Sequence, residues 1–167
     1  MWLRRLVLPS VLLCALAMLD GCSEVFGQSC NLVGCVDNVS VNGTLESEHV
    51  LGEHVFELEV DGAPSRCVAK QTSTTLTVFG ACDAGRSASL GPARRVIREP
   101  YGASTEIIPG KFGWGVRINE VAGTVRVRHL LDGAVLSDHT VNPAYELVEP
   151  NGHACGPACY VAAKTVE

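Results

Sequence analysis

The sequence predicts an all-β fold, namely an immunoglobulin-like antiparallel β-sandwich of roughly seven to nine short strands stapled by disulfides. Three observations support this class. Short segments with alternating apolar and polar residues recur along the chain, turn residues separate them, and no convincing amphipathic helix is present. The alternative architecture is a small β-barrel. A chain of 167 residues suits a single domain, which we place at residues 35–167.

The N-terminus is predicted to be an export signal covering residues 1–21, which therefore does not belong to the fold. Arg4 and Arg5 provide a short basic start, and the apolar stretch 6–19 is short for a stable membrane span. Leu19-Asp20-Gly21-Cys22 resembles the lipobox of bacterial lipoproteins, although Asp20 occupies a position that normally holds a small or apolar residue. That resemblance implies cleavage before Cys22, lipidation of its thiol and a tether over residues 22–34.

The expected location is the outer membrane, because Ser23 after the lipidated cysteine favours it by resemblance to lipoprotein sorting. Ordinary signal cleavage after Ala17 or near Gly27 would instead release a periplasmic or secreted protein. Without residues 1–21 the chain carries 11 basic and 17 acidic residues. A lipid anchor, and not a basic patch, would thus hold it at a bilayer. An acidic chain also does not favour a nucleic-acid partner.

Eight cysteines are present, of which Cys14 lies in the signal and Cys22 is the lipidation candidate. The remaining six imply disulfides in an exported protein, with 15 possible pairings. They are Cys30, Cys35, Cys67, Cys82, Cys155 and Cys159.

Cys67 and Cys82 are predicted to bond to each other, because they end two neighbouring strands joined by a short connection. The stretch "PNGHACGPAC" at 150–159 favours a structural staple, in which Cys155 or Cys159 reaches back to Cys30 or Cys35. The alternative is a Cys155–Cys159 bond around the Gly-Pro turn.

The strand pattern is clearest in three parts of the chain. Phe56, Leu58 and Val60 alternate with glutamates, which indicates a half-buried strand with an acidic outer face. Asp132-Gly133 joins two apolar-polar runs and predicts a hairpin. Residues 83–111 are rich in Gly, Pro, Ala and Ser, so they are predicted to be irregular with one short edge strand around residues 96–97.

Metal binding is the alternative function, in which a periplasmic metal-handling protein would use His153, Cys155 and Cys159. The other histidines show no zinc-ligand spacing and are interpreted as exposed polar residues on strands and turns. The acidic residues between 46 and 61 lack a twelve-residue calcium loop, so they are interpreted as a solvated strand face. No cofactor or metal site is therefore predicted.

Catalysis has little support, because the chain contains no G-x-S-x-G elbow, no H-E-x-x-H motif and no glycine-rich phosphate loop. The basic cluster Arg86, Arg94, Arg95 and Arg98 falls in the irregular middle segment, where it is either a solvated loop or a binding loop for a protein or glycan. A small hydrolase with an unrecognised site in residues 83–111 is a weaker possibility.

Several features together resemble a group of uncharacterised, cysteine-containing exported proteins and lipoproteins of the myxobacterial type. They are the near-lipobox, the opening Gly34-Cys35-Val36-Asp37, the Cys67…Cys82 pair, the Asp132-Gly133 hairpin, and Tyr145 followed by Pro150-Asn151-Gly152 and Cys155-Gly156-Pro157-Ala158-Cys159. The resemblance covers about residues 34–166 and implies a cysteine-bridged β-sandwich in the periplasm or at the cell surface. It implies no known activity.

Overall fold

A computed structural model describes residues 34–46, 49–83, 85–100, 102–152 and 155–167. These residues form β-strands and no α-helix, which confirms the all-β prediction. None of the described segments is a helix that could cross a membrane. The predictions for Cys14, Cys22, Cys30 and His153 lie outside the described residues, as do those for the signal and almost all of the tether.

Ten strands are present in the described part of the chain, against the seven to nine predicted. In order they are β1 (Asn38–Glu46), β2 (Gly52–Val60), β3 (Ala63–Gln71), β4 (Val78–Cys82), β5 (Arg86–Glu99), β6 (Gly102–Ile118), β7 (Val125–Leu131), β8 (Ala134–Val141), β9 (Glu146–Val148) and β10 (Cys159–Thr165). They form one ten-stranded sheet in the order β8-β7-β2-β3-β4-β5-β6-β1-β10-β9. The short strand β4 pairs with β3 on one side and with β5 on the other.

A single apolar core receives side chains from both halves of this sheet. Strands β2 and β7 contribute alternate residues such as Phe56 and Val127, and β1 and β6 contribute others such as Val41 and Trp114. The rings of Phe56 and Trp114 lie 5.6 Å apart between centroids, so the two halves are in direct contact. This alternation explains the period-two pattern of the sequence, because one face of each strand is buried in the core.

Two Asp-Gly turns connect the strands of the β2–β3 and β7–β8 hairpins. Asp61 and Asp132 have φ angles of 49° and 48°, and the glycines that follow them have 84° and 85°. Positive φ at both central residues gives the tight turn whose twist matches two antiparallel strands. The hairpin predicted at Asp132-Gly133 is therefore present.

Three features of the predicted topology are wrong or incomplete. The first and last long strands, β1 and β10, run parallel, with Asn38 opposite Val161 and Asn42 opposite Thr165. The apolar-polar alternation that starts at Cys35 predicts a first strand from that residue, but the strand begins at Asn38. The segment 83–111 is not irregular, because most of it belongs to β5 and β6, which at 14 and 17 residues are the longest strands described.

The outer parts of β5 and β6 form a hairpin that continues beyond the rest of the sheet. Residues 94–99 pair with 102–107, and neither segment pairs with any other described strand. We call residues 94–107 the β-arm. The register shifts at its base between Pro92 and Arg94, where residues 108–111 of β6 stand against the single residue Ala93 of β5. Such a bulge changes the direction of a hairpin relative to its sheet.

The β-arm and the N-terminal entry lie at opposite ends of the fold. Strand β1 begins three residues after Cys35, at the end where Val39 lies opposite Ile118 of β6. It ends where Glu46 lies opposite Lys111, next to the base of the β-arm. Residues before 34 therefore join the domain at one end, and the β-arm extends from the other.

Candidate functional site

Two disulfides fix the described fold. Cys67 is bonded to Cys82, as predicted from the neighbouring strands, and the two are also direct partners in the β3–β4 ladder. Cys35 is bonded to Cys159 across 124 residues of sequence. Chain entropy gives such closures about 3 and about 5 kcal/mol of stabilisation, respectively. Two structural disulfides are typical of a protein that folds in an oxidising compartment.

The C-terminal cysteines are half-cystines, as the staple interpretation requires. Cys159 reaches back to Cys35, so the alternative Cys155–Cys159 bond is absent, and Cys155 is also disulfide-bonded. The backbone N–H of Tyr160 donates to Asp37 Oδ1 at 2.8 Å beside the Cys35–Cys159 bond. The segment that leads into β1 is thus joined to β10 by a covalent bond and a side-chain hydrogen bond, and β1 itself is joined to β10 by a parallel ladder.

The metal-handling alternative loses two of its three ligands in this oxidised form. A metal would require the thiolates of Cys155 and Cys159, but both sulfurs are engaged in disulfides. Among the described residues, no three His, Cys, Asp or Glu side chains are grouped so that they could hold a metal ion.

A histidine pair is buried in the core, contrary to the prediction that these histidines are exposed. His54 on β2 and His129 on β7 are both fully inaccessible to solvent. His54 Nδ1 lies 2.9 Å from His129 Nε2, and His54 Nε2 lies 2.7 Å from the carbonyl oxygen of Val50. Because a carbonyl can only accept, the proton of His54 is assigned to Nε2, and His129 Nε2–H donates to His54 Nδ1.

This assignment makes both rings neutral and leaves His129 Nδ1 as an acceptor without a partner. Burial, with a smaller contribution from His54, lowers the pKa of His129 to about 3. Burial also lowers the pKa of His54, an effect opposed by its hydrogen bond to Val50 and by the charge of Asp132. The pair is a structural polar element of the core, and the ring of His129 stacks on that of Phe56 at 4.3 Å between centroids.

The sequence contains a signal for this pair that the spacing of metal ligands does not capture. His54 precedes Phe56 and Leu58 by even steps, and His129 follows Val125 and Val127 in the same way. Residues separated by even steps along a strand face the same side of the sheet. Both histidines therefore face the same side of the sheet as these buried apolar residues, which places them in the core.

Charged residues of opposite sign alternate across the outer face of four strands. Glu57 on β2 lies opposite both Arg66 on β3 and Arg128 on β7, and Arg128 lies opposite Asp138 on β8. Arg128 Nη1 donates to Glu57 Oε2 at 3.1 Å. These exposed pairs contribute little stability individually, but they make the face close to neutral.

A groove of about 450 Å³ runs over this face. Glu59 and Arg66 line it, and neither side chain forms an ion pair within the described residues. The neighbouring Arg126 is engaged with Asp138 through two hydrogen bonds of 2.9 and 2.7 Å, which lower the pKa of that carboxylate. The predicted solvated acidic face is therefore present on β2, but arginines from the adjacent strands partly neutralise it.

The predicted basic cluster is divided between two places. Arg86 is the first residue of β5 and lies near the N-terminal entry, where its Nη2 is 2.6 Å from Glu120 Oε1. Arg94, Arg95 and Arg98 lie on the β-arm, exposed to solvent. The prediction that these arginines lie in a loop is therefore wrong, because the segment that carries them is a β-hairpin.

No protein-family profile matches this chain, and no curated protein or solved structure is significantly similar to it.

Proposed function

We propose that this protein is a non-catalytic lipoprotein of the outer membrane that presents a binding domain at the cell envelope. Its domain is, in this proposal, an immunoglobulin-like β-sandwich attached through lipidated Cys22 and the tether 22–34. The resemblance to exported myxobacterial lipoproteins agrees with this role. The observation that carries the proposal is the placement of the N-terminal entry and the β-arm at opposite ends of the sheet.

An N-terminal lipid anchor would determine which end of the domain lies near the bilayer and which end faces away from it. The tether would hold the entry end of the domain near the bilayer, and the β-arm would extend from the far end. Six paired positions at about 3.4 Å each make the β-arm about 20 Å long. A projection of this length that buries few side chains contributes little to the core, which favours a role in contact with a partner.

Support for the sandwich comes from the shared core and from a clamp around Tyr145. The backbone N–H of Ala122 donates to the Tyr145 hydroxyl at 2.7 Å, and that hydroxyl lies 3.1 Å from the Ala122 carbonyl oxygen, to which it donates. Immunoglobulin-like sandwiches also contain a tyrosine whose hydroxyl bonds to backbone, although there the backbone lies only a few residues upstream. Tyr145 thus ties the β8–β9 connection to the β6–β7 connection.

Binding is favoured over hydrolysis by the surroundings of the basic cluster. A hydrolytic site requires polar side chains gathered around a cavity. The described side chains of the β-arm are instead exposed on both faces of a two-stranded hairpin, and none of them lines the groove on the outer face of β2, β3 and β7.

Metabolic labelling with a clickable fatty acid tests the anchor. The wild-type protein and the Cys14→Ser variant should be labelled and should partition into the membrane fraction, because Cys14 belongs to the signal. Cys22→Ser should lose the label and accumulate as precursor. An unlabelled wild-type protein, or a Cys22→Ser variant that still yields mature protein with unchanged membrane partitioning, would refute the anchor.

A further inference from the structure

The two faces of the β-arm differ in charge. Directly opposed residues of an antiparallel pair share a face, and alternate residues along each strand do the same. One face therefore carries Arg95 and Ile97 opposite Glu106 and Ser104. On it, Arg95 binds Glu106 Oε2 through Nε at 2.9 Å and through Nη2 at 2.7 Å, so this arginine is neutralised.

The other face, which we call the arginine face, has no carboxylate. Arg94, Val96 and Arg98 follow one another along β5 at alternate positions, opposite Ile107, Thr105 and Ala103 of β6. Neither Arg94 nor Arg98 forms an ion pair with any described residue. Val96 is 65% exposed and Ile107 is 53% exposed. The result is a positively charged, partly apolar strip on an acidic chain.

The outer edge of β5 is also open beside this face. Strand β4 pairs with β5 only at residues 88–90, so residues 94–99 have β6 as their sole partner among the described strands. An open edge presents backbone N–H and C=O groups that can bind an added strand. A two-stranded hairpin is marginal in water, and a third strand would stabilise it.

We propose that the β-arm binds an extended acidic segment of a partner protein, which adds as a strand to the β5 edge and places its carboxylates against Arg94 and Arg98. This inference names the partner of the binding module proposed above and rests on that proposal. Arg94 and Arg98 are four residues, or about 14 Å, apart along the strand. An added strand matches this distance with acidic residues at positions i and i+4 and an apolar residue between them, opposite Val96.

The same arginines restrict the choice of partner. Charged residues on an edge strand oppose pairing with neutral or basic strands, whose approach would bury an uncompensated charge. A second copy of the β-arm would bring arginine against arginine if the two β5 edges met. An acidic segment from another protein avoids this repulsion and compensates both charges.

Fluorescence anisotropy with a labelled peptide of the repeating pattern Glu-Thr-Val-Thr tests the proposal. The protein is the full chain, purified from a whole-cell extract in detergent without reduction. We expect saturable binding that weakens as salt rises. The R94Q/R98Q variant should bind about tenfold more weakly, because a loss of about 0.7 kcal/mol for each of two exposed ion pairs amounts to about 1.4 kcal/mol. K70Q/K164Q, which removes two exposed charges outside the β-arm, should bind as the wild type does.

Two further probes separate strand addition from simple charge attraction. A peptide with N-methyl groups on alternate residues retains its carboxylates but loses backbone donors, so it should not bind. Vesicles containing anionic lipid should not be retained through Arg94 and Arg98. Absence of saturable peptide binding, equal weakening in the two double variants, binding of the methylated peptide, or arginine-dependent vesicle binding would each overturn the proposal. All of these outcomes are independent of whether Cys22 is lipidated.

Discussion

Acid should destabilise this protein through its buried histidine pair, at pH values where carboxylates remain ionised. Burial lowers the pKa of His129 to about 3, from the ordinary histidine value of 6.5 that applies to the unfolded chain. Between these values the unfolded chain binds a proton that the folded chain excludes. The unfolded state then binds more protons, so the free energy of unfolding falls as pH falls through 6.5. Above that pH both states are neutral and the effect vanishes.

The expected magnitude follows from one proton. Within this window each pH unit changes the free energy of unfolding by about 1.4 kcal/mol. His129 alone should therefore remove about 2 kcal/mol between about pH 7.5 and pH 5. The pKa of His54 is also lowered by burial, so this residue acts in the same direction. Carboxylates contribute little to the change in the free energy of unfolding between pH 7.5 and pH 5, because their ordinary pKa values lie near 4.

Tryptophan fluorescence can follow urea unfolding at each pH. Trp114 is the sole tryptophan after residue 21, and its ring lies 5.4 Å from that of His129. His129→Phe keeps a ring against Phe56 but cannot be protonated. This variant should be less stable at pH 7.5, because His54 Nδ1 loses its donor, yet it should lose the part of the pH dependence that His129 contributes and keep that of His54.

His139→Gln, on the neighbouring strand β8, is the matched control and should retain the wild-type pH dependence. A wild-type free energy of unfolding that stays within about 0.5 kcal/mol from pH 7.5 to pH 5 would refute the destabilising effect of His129. So would a His129→Phe variant that kept the full pH dependence.

Three substitutions test other contacts by urea unfolding. Replacing both Cys35 and Cys159 by serine should cost up to about 5 kcal/mol, because it opens the longest described disulfide loop; a loss under about 1 kcal/mol would contradict this. Tyr145→Phe should cost about 1–2 kcal/mol through the lost hydroxyl clamp, and unchanged stability would argue against it. Gly43→Ala should cost about 1–3 kcal/mol, because its Cβ would lie 2.5 Å from the ring of Trp114; a neutral result would show that the indole moves freely.

The strands that the sequence predicts well are those with one face in the core. In β2, Phe56, Leu58 and Val60 are buried while Glu59 between them is exposed, so the alternation is visible in the sequence. Asp132-Gly133 marks its hairpin for a local reason, since few residue types tolerate its positive φ angles. The Cys67–Cys82 bond could also be predicted locally, because β3 and β4, which carry the two cysteines, follow one another in sequence.

The β-arm could not be predicted by the same argument. Its residues are exposed on both faces, so burial imposes no alternation on Arg94–Arg98, and Pro92 and Pro109 near its base look like loop residues. For β1 and β10, the predicted disulfide between the two ends of the domain implies that these strands lie near one another, as they do. Their parallel direction could not be predicted, because the strands are more than a hundred residues apart and no local turn fixes it.

Peptide mapping by mass spectrometry, on protein isolated from the cell envelope without reduction, shows whether a disulfide-bridged domain is held at the envelope by its N-terminus. The expected result is an N-terminal peptide that begins at a lipid-modified Cys22, together with linked peptides containing Cys35–Cys159 and Cys67–Cys82. An unmodified N-terminus after Ala17 or near Gly27, or free thiols at these four cysteines, would contradict it.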